Sequence, residues 1–314
     1  MNLVAEPYVA GRAAEWNEFV ARSRNGTFLF DRNYMDYHAD RFRDASVMFR
    51  DGRGRLAGVL PANREDDALV SHGGLTYGGV VTNHDATITG MLGLFEALLM
   101  HARREGIRRI VYKPVPHIYH THPAEEDLYA LFRNEATPVR MDASATIDMR
   151  RPLGWSRPRK QALAKARKAG LEVHETQDFR TYMGIVEARL RERYDTSPTH
   201  TAGEIELLAR RFPDRIRLFA ALAGHRMLAG LVVYDCGRCV HAQYIASTEE
   251  GRECGATEAV VGHLLAEVYA DRDWFDFGIS TERGGRHLNE GLAGYKEMFG
   301  ARTTVYPTWE IPVG

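Results

Sequence analysis

Apolar and polar positions fall into two recurring patterns along this chain: short strand-like runs joined by tight turns, and longer stretches with helical spacing. Near the N-terminus the spacing predicts a helix from Ala13 to Ser23 and a second around Tyr34 to Asp40. The run VMFRDGRGRLAGVLPAN reads as two strands, with Asp51-Gly52 and Arg53-Gly54 marking the hairpin turn. A strand around Ala68 to Ser71 precedes the glycine-rich GGLTYGGVV. An amphipathic helix from Ile88 to Arg104 is stopped by Gly106, and the strand IRRIVYK follows at once. The helix AEEDLYALFRN and a strand near Ala145 to Met149 close the first half.

The second half repeats that order with different residues. It has a hairpin, RLFAALAGHRMLAGLVVYD, turning near Gly224; a strand, CVHAQYIAS; a loop, TEEGRECGA; a helix, TEAVVGHLLAEVYA; and a strand, WFDFGIS. A loop and short helix lead to a closing strand, TTVYPTWEI. The segment Leu56-Ala57-Gly58-Val59 recurs as Leu228-Ala229-Gly230-Leu231 within similar hairpins, the mark of a duplicated module. A length of 314 residues suits two domains of about 150 each. The expected division is 1–150 and 151–314, in an α/β fold with mixed sheets.

Between the halves lies WSRPRKQALAKARKAG, a helix with Ser156 as N-cap and Gly170 as its stop. Arg157, Arg159, Lys160, Lys165, Arg167 and Lys168 make it wholly basic. It is either a solvated face or a grip on the phosphates of a nucleotide, a tRNA end or a polyanionic acceptor. Only such a local argument is open, because 41 basic against 42 acidic residues leave a net charge of -1. Hydrophobic residues at 44% and charged ones at 26% are ordinary for a globular core. Three cysteines form no disulfide framework and fit a reducing cytosol. The start MNLVAEPYVAGRAAEW lacks a basic stretch followed by an apolar run, and no segment reaches the roughly 18 apolar residues of a membrane span. These features read as cytoplasmic; none speaks to an oligomeric state.

A strand, a loop rich in Gly and Arg, and a helix place an anion at the helix N-terminus, where free amides and the dipole favour negative charge. Here the loop is Gly251-Arg252-Glu253-Cys254-Gly255-Ala256, and Thr257 opens the helix. The segment resembles the pyrophosphate loop of the GNAT superfamily, which reads Arg or Gln, two residues, Gly, one residue, then Gly or Ala. Arg252 and Gly255 match; Thr257 stands where the last small residue belongs. The resemblance implies donor-phosphate binding by Arg252, Gly255, Ala256 and Thr257. The run FDFGISTERGGRHLNEGLAGYKEMFGARTTVY further resembles the FemAB-type branch, with two tandem GNAT lobes, a basic helix opening the second, and a Lys shortly before Phe-Gly. Lys296, Phe299 and Gly300 match that last feature, and ARKAGLEV matches the start of the second lobe. FemAB members carry amino acids from aminoacyl-tRNA to a peptidoglycan precursor. The chain lacks the long helical hairpin some of them use.

Acyl transfer to an amine requires a proton to be removed, a carbonyl polarised and a leaving group accommodated. Lys296, which also fits the family motif, is expected to stabilise charge on the donor or its leaving group. Glu282 or Glu290 is expected as base; the alternative for Glu290 is a helix cap or salt bridge. Ser280 and Asn289 stand beside them. On VHAQYIA, alternation puts His241, Gln243 and Ile245 on one face and Val240, Ala242 and Tyr244 on the other. The polar face suggests a lined cleft, the alternative for His241 being a satisfied core histidine. Arg193, Tyr194 and His200, in RERYDTSPTHT, could cover the acceptor or form a solvated loop. Lys113 and the His117, His120, His122 cluster read as a polar wall of the first lobe rather than a metal site. Cys236 and Cys239 are shoulders of a hairpin, so no metal is expected.

The expected protein is therefore an N-acyltransferase with no tightly bound cofactor. It takes acyl-CoA or aminoacyl-tRNA as donor, the latter slightly favoured, and an amine on a cell-envelope or natural-product precursor as acceptor. The rivals are an acetyl-CoA-dependent N-acetyltransferase and a binding protein that has kept the fold without the site.

Overall fold

The computed structural model describes residues 3–314. In chain order it begins with strand β1 (Val4–Pro7), helices α1 (Ala13–Ala21) and α2 (Arg32–Met35), and strands β2 (Val47–Arg50), β3 (Leu56–Leu60), β4 (Asn63–Glu65), β5 (Ala68–Val70) and β6 (Val81–Thr82). Helix α3 (Ile88–Arg104), strand β7 (Arg109–Tyr112), helix α4 (Glu126–Arg133) and strand β8 (Thr137–Asp148) follow. Then come α5 (Arg157–Lys168), β9 (Glu172–Thr176), α6 (Phe179–Tyr194), α7 (Ala202–Arg211), β10 (Ile216–Ala223), β11 (Arg226–Asp235) and β12 (Cys239–Ser247). The chain ends with α8 (Glu249–Cys254), α9 (Ala256–His263), β13 (Trp274–Ile279), β14 (Thr281–Glu282), β15 (His287–Leu288), α10 (Glu290–Glu297) and β16 (Arg302–Pro312).

These elements pack as two units, residues 1–143 with 281–287 and 305–314, and residues 144–280 with 288–304. In unit 1, β1, β2, β3 and β6 form an antiparallel sheet. A second group joins β4 to β5, β5 in parallel to β7, and β7 to residues Trp309–Pro312 of β16. The parallel pair needs a crossover, and α3 supplies it. Thr87 caps α3 by accepting from the Gly90 amide at 3.1 Å, and its apolar face buries Phe95 and Leu98 against Phe49, Leu60, Ile110 and Ile311. In unit 2 the strand order is the end of β8, then β13, β12, β11, β10 and β9. Its core gathers Leu231, Val233, Val240, Val260, Phe275 and Phe299. The repeated Leu-Ala-Gly segment lies in β3 and in β11, the second strand of a hairpin in each unit. Gly230 is packed so closely under the Tyr182 ring that a Cβ would lie 2.5 Å from it.

Local hydrogen bonding moves several predicted boundaries. The helix expected around Tyr34 to Asp40 is α2 followed by a tight turn over Asp36–His38, because Asp31 caps the chain earlier by accepting from the Asn33 amide. The loop expected over TEEGRECGA is helix α8: the Thr248 hydroxyl accepts from the Gly251 amide at 3.0 Å, and Gly255, at φ +79°, ends it. The helix expected from Thr257 to Ala270 keeps α-helical bonding to His263 and then widens into a π-turn over Leu264–Val268. Strand β8 begins eight residues before the predicted Ala145. Among the described residues no helix is long and apolar enough to cross a membrane, and no group of three or more His, Cys, Asp or Glu could hold a metal ion.

A polar chain runs through the unit 1 core. The Val80 amide donates to the Tyr112 hydroxyl at 2.7 Å, and that hydroxyl donates to Asp127 at 2.9 Å. Burial lifts the Asp127 carboxyl to about 7. A folded-state pKa above the unfolded 3.8 means that the folded protein holds the proton more tightly. The associated stability is complete below about pH 4 and is lost as pH rises through 7. Asp127→Asn retains the acceptor and removes the charge, so the fall in unfolding free energy between pH 4 and 8 should shrink by up to about 4 kcal/mol in urea titrations. An unchanged pH profile would place the titration elsewhere.

Candidate functional site

In unit 2, β12 and β13 run parallel and are paired only at Cys239 with Trp274, Val240 with Phe275, and His241 with Asp276. Beyond that point they separate. On its other side β12 carries a bulge: Val233 faces Ala242 and Val232 faces Tyr244, so Gln243 has no partner on β11. The bulge overturns the simple alternation expected for this strand, because one extra residue reverses the faces after Ala242. Tyr182 of α6 holds the distortion in place, its hydroxyl 2.9 Å from the carbonyls of Gly230 and Tyr244.

A strand that leaves its neighbour exposes backbone polar groups, and these must find other partners. Gly278 stands at φ +77°, where a side chain would be strained. Its amide donates to Asp276 at 2.9 Å. The carbonyls of Gly278 and Ile279 accept from the Lys296 ammonium at 2.8 and 2.7 Å. Helix α10 delivers Lys296 to that position, and the Asn289 side chain caps the helix by accepting from the Leu292 amide at 3.0 Å. Lys296 is buried, and desolvation brings its pKa down to about 8, with the Asp276 charge opposing the fall. Asp276, fully buried, also accepts from the Ser144 hydroxyl at 2.5 Å and faces His241 Nδ1 at 2.8 Å.

The space between the parted strands is a cavity of about 860 Å³ lined entirely by unit 2. Residues 242–247 of β12 form one wall, Val186 and Leu190 of α6 another, and Tyr295, Lys296 and Met298 a third. Glu258, its one acidic lining residue among those described, is buried in the first turn of α9. It pairs with Arg159 of the basic helix, whose guanidinium lies 4.2 Å from the centre of the Tyr295 ring. Burial, with the Glu258 charge beside it, pushes the Tyr295 hydroxyl's pKa up. Gly255, also in the left-handed region, packs under α5, where a Cβ would come within 2.2 Å of the Ala162 carbonyl.

Of the residues singled out from the sequence, Lys296, Gln243, Tyr244, Arg193, Arg252 and Thr257 line this cavity. His200 stands behind Tyr244, its Nδ1 2.8 Å from the tyrosine hydroxyl. The Tyr194 side chain lies outside the described residues. His241 faces Asp276, and the buried Ser280 gives its carbonyl to the Asn289 amide at 2.9 Å. Ala256, like Gly255, is buried where α8 meets α9. Glu290 is exposed in the first turn of α10, and Glu282 is exposed in unit 1. Lys113 is also in unit 1, where its ammonium donates to the carbonyls of His72 and Leu75 at 2.7 and 2.6 Å and burial lowers its pKa to about 8. Glu258, Tyr295 and Asp276 escaped the sequence reading. Nothing in TEAVV distinguishes Glu258 from a solvated first-turn acid until Arg159 is placed beside it.

Residues 156–297 match the family model described as an acetyltransferase (GNAT) domain. The sequence matches no curated protein. Among solved structures the chain is similar to FemX, at 12% identity over 98% of this chain and 97% of that one, with a TM-score of 0.69. It is similar to the C-terminal domain of a putative lysylphosphatidylglycerol synthetase from Agrobacterium fabrum, at 10% identity, 95% and 92% coverage and a TM-score of 0.63. It is also similar to a tandem GNAT protein from the clavulanic acid biosynthesis pathway, at 12% identity, 99% and 99% coverage and a TM-score of 0.51. These likenesses establish the fold as two GNAT lobes in tandem.

Lys296 should lose its proton with a midpoint near pH 8, read by NMR on ε-13C-lysine with Lys296→Arg to assign the signal. Removing the charge that opposes the fall, in Asp276→Asn, should move the midpoint to lower pH. A midpoint near 10.5, the ordinary lysine value, would mean that the ammonium is hydrated.

Proposed function

We propose that this chain, a GNAT-type acyltransferase with the tandem fold of FemX, moves an aminoacyl group from an ester donor at an RNA end to an amine of a cell-envelope or natural-product precursor, an amino sugar or a peptide. The observation that carries the donor assignment is helix α8. Much of the segment resembling a pyrophosphate loop is helical, so three of its amides already have partners: Gly251 donates to the Thr248 hydroxyl, Arg252 to the Thr248 carbonyl and Gly255 to the Gly251 carbonyl. An acyl-CoA pyrophosphate needs such amides free. Buried Glu258, paired with Arg159, already sits in the first turn of α9, where an anion would bind. An RNA donor offers many phosphates, and Arg157, Lys160, Lys165, Arg167 and Lys168 of α5 are exposed, with no ion pair among the described residues. A second reading, acetyl-CoA as donor, is favoured by the acetyltransferase family model and by the Arg252 and Gly255 match.

In the reaction, the unprotonated acceptor amine attacks the ester carbonyl carbon. A C–N bond forms, the C–O bond to the ribose breaks, and the amine's proton ends on the departing oxygen. Two of the three Lys296 N–H groups hold the strand carbonyls, and the third is available to the oxygen on which charge develops. Burial of the ammonium strengthens that interaction.

Lys296→Met should lower turnover of a 3′-aminoacyl RNA hairpin with an amino-sugar or peptide amine by on the order of a hundredfold or more. Lys296→Arg keeps a cation on the carbonyls and should be less affected. Near-normal turnover in a folded Lys296→Met protein would remove the lysine from the chemistry. Reversing Lys160, Lys165, Arg167 and Lys168 to Glu should weaken hairpin binding and flatten the dependence of log affinity on log salt, by about 0.7 for each single-strand phosphate that is no longer neutralised. If the reversal is harmless and acetyl-CoA alone supports acylation, the RNA-donor reading is wrong.

A further inference from the structure

A donor phosphate needs a seat, and the usual one in a GNAT lobe is closed here by three separate features. The amides of Gly251, Arg252 and Gly255 are bonded within the α8 segment, the Glu258 carboxylate, paired with Arg159, lies in the first turn of α9, and the Ala162 carbonyl of α5 stands against Gly255. All three are electronegative or already satisfied where a phosphate would approach. Of the cavity's cations, Arg159 is held by Glu258 and Lys296 by the strand carbonyls, and the other three lie elsewhere. Arg189 and Arg193 are four residues apart on α6 and so share one face of the helix, and both line the cavity. Arg252, in the last turn of α8, lines it as well, its guanidinium donating to the Ser247 carbonyl at the end of β12. The hydroxyl residues Thr196, Ser197 and Thr199 line the same cavity from the segment that follows α6.

We infer that Arg189, Arg193 and Arg252 form the phosphate seat of the donor, displaced from the α9 N-terminus to the α6 side of the cavity. Guanidinium groups suit a phosphodiester because they present two parallel donors to two oxygens. Glu192 is a counter-ion already in place: it pairs with Arg189 at 2.6 Å, and Arg252 also lowers its carboxyl. Both ends of a donor are thereby accommodated, with phosphate on the arginines and the acyl carbonyl at Lys296. Shared by an RNA terminus and by CoA is the organic phosphate itself, so the seat rests on the acyl-donor reading but not on which donor is used.

The test is a binding measurement with two probes, a hairpin ending in a stable 3′-amide-linked amino acid and acetyl-CoA, on the full chain. Arg189→Ala with Arg193→Ala should weaken whichever probe binds the wild-type protein by on the order of tenfold or more. Glu192→Gln, which frees Arg189, should tighten it. Loss of hairpin binding in the double variant supports the seat together with the RNA donor. If only acetyl-CoA binds, the RNA reading fails, and a tenfold loss in the double variant still supports the seat. Unchanged affinity for the bound probe in a folded double variant overturns the seat under either donor.

Discussion

The separation of β12 from β13 after His241 and Asp276 is the constraint on which unit 2 depends. Parting two strands of a sheet opens space for a ligand but leaves carbonyls and amides that water or protein must satisfy. Here the protein does so with charged side chains. Lys296 takes the carbonyls of Gly278 and Ile279, and Asp276 takes the Gly278 amide. The lysine is thus fixed in position by the backbone groups that the cavity's formation released. One residue closes the strand end and presents a proton to the space beside it.

This arrangement also explains the charge pattern of the cavity. A buried ammonium with two carbonyl acceptors is held at a single point, and its pKa near 8 keeps it both charged and able to give up a proton around neutral pH. Glu258 is neutralised by Arg159, so the cavity's acid serves to hold α5 against α9. Unit 1 uses the same chemistry independently: Lys113, directly after β7, satisfies the carbonyls of His72 and Leu75, and its pKa also falls to about 8. In each unit a lysine is kept where a chain segment leaves its sheet.

The order of elements was readable because it depends on near neighbours. Ile88–Arg104 and Arg157–Lys168 came out as helices with the predicted ends, since apolar spacing acts within a turn or two, although the Ser156 side chain at the start of the second makes no capping bond. Lys296 was found by its neighbours Phe299 and Gly300, and Arg252 and Thr257 by the loop pattern. The α8 helix was missed because its segment resembles a glycine-rich loop, while a single Thr248 hydroxyl was enough to start a helix.

By itself the sequence determined many of the strands and helices, the two-lobed order, and which residue types were available for acyl transfer. These follow from periodicity, turn chemistry and composition, all of them local. Tertiary structure decided which of those residues meet. It put Glu258 in the cavity wall and left Glu290 at the surface, turned His241 to Asp276, paired Arg159 from the basic helix with Glu258, and brought Arg252 to the same cavity as Arg189 and Arg193. Those outcomes depend on a bulge at Gln243 and on two strands that stop pairing after three residues. Neither event is encoded in any short stretch, because each balances backbone hydrogen bonds against partners distant in the chain.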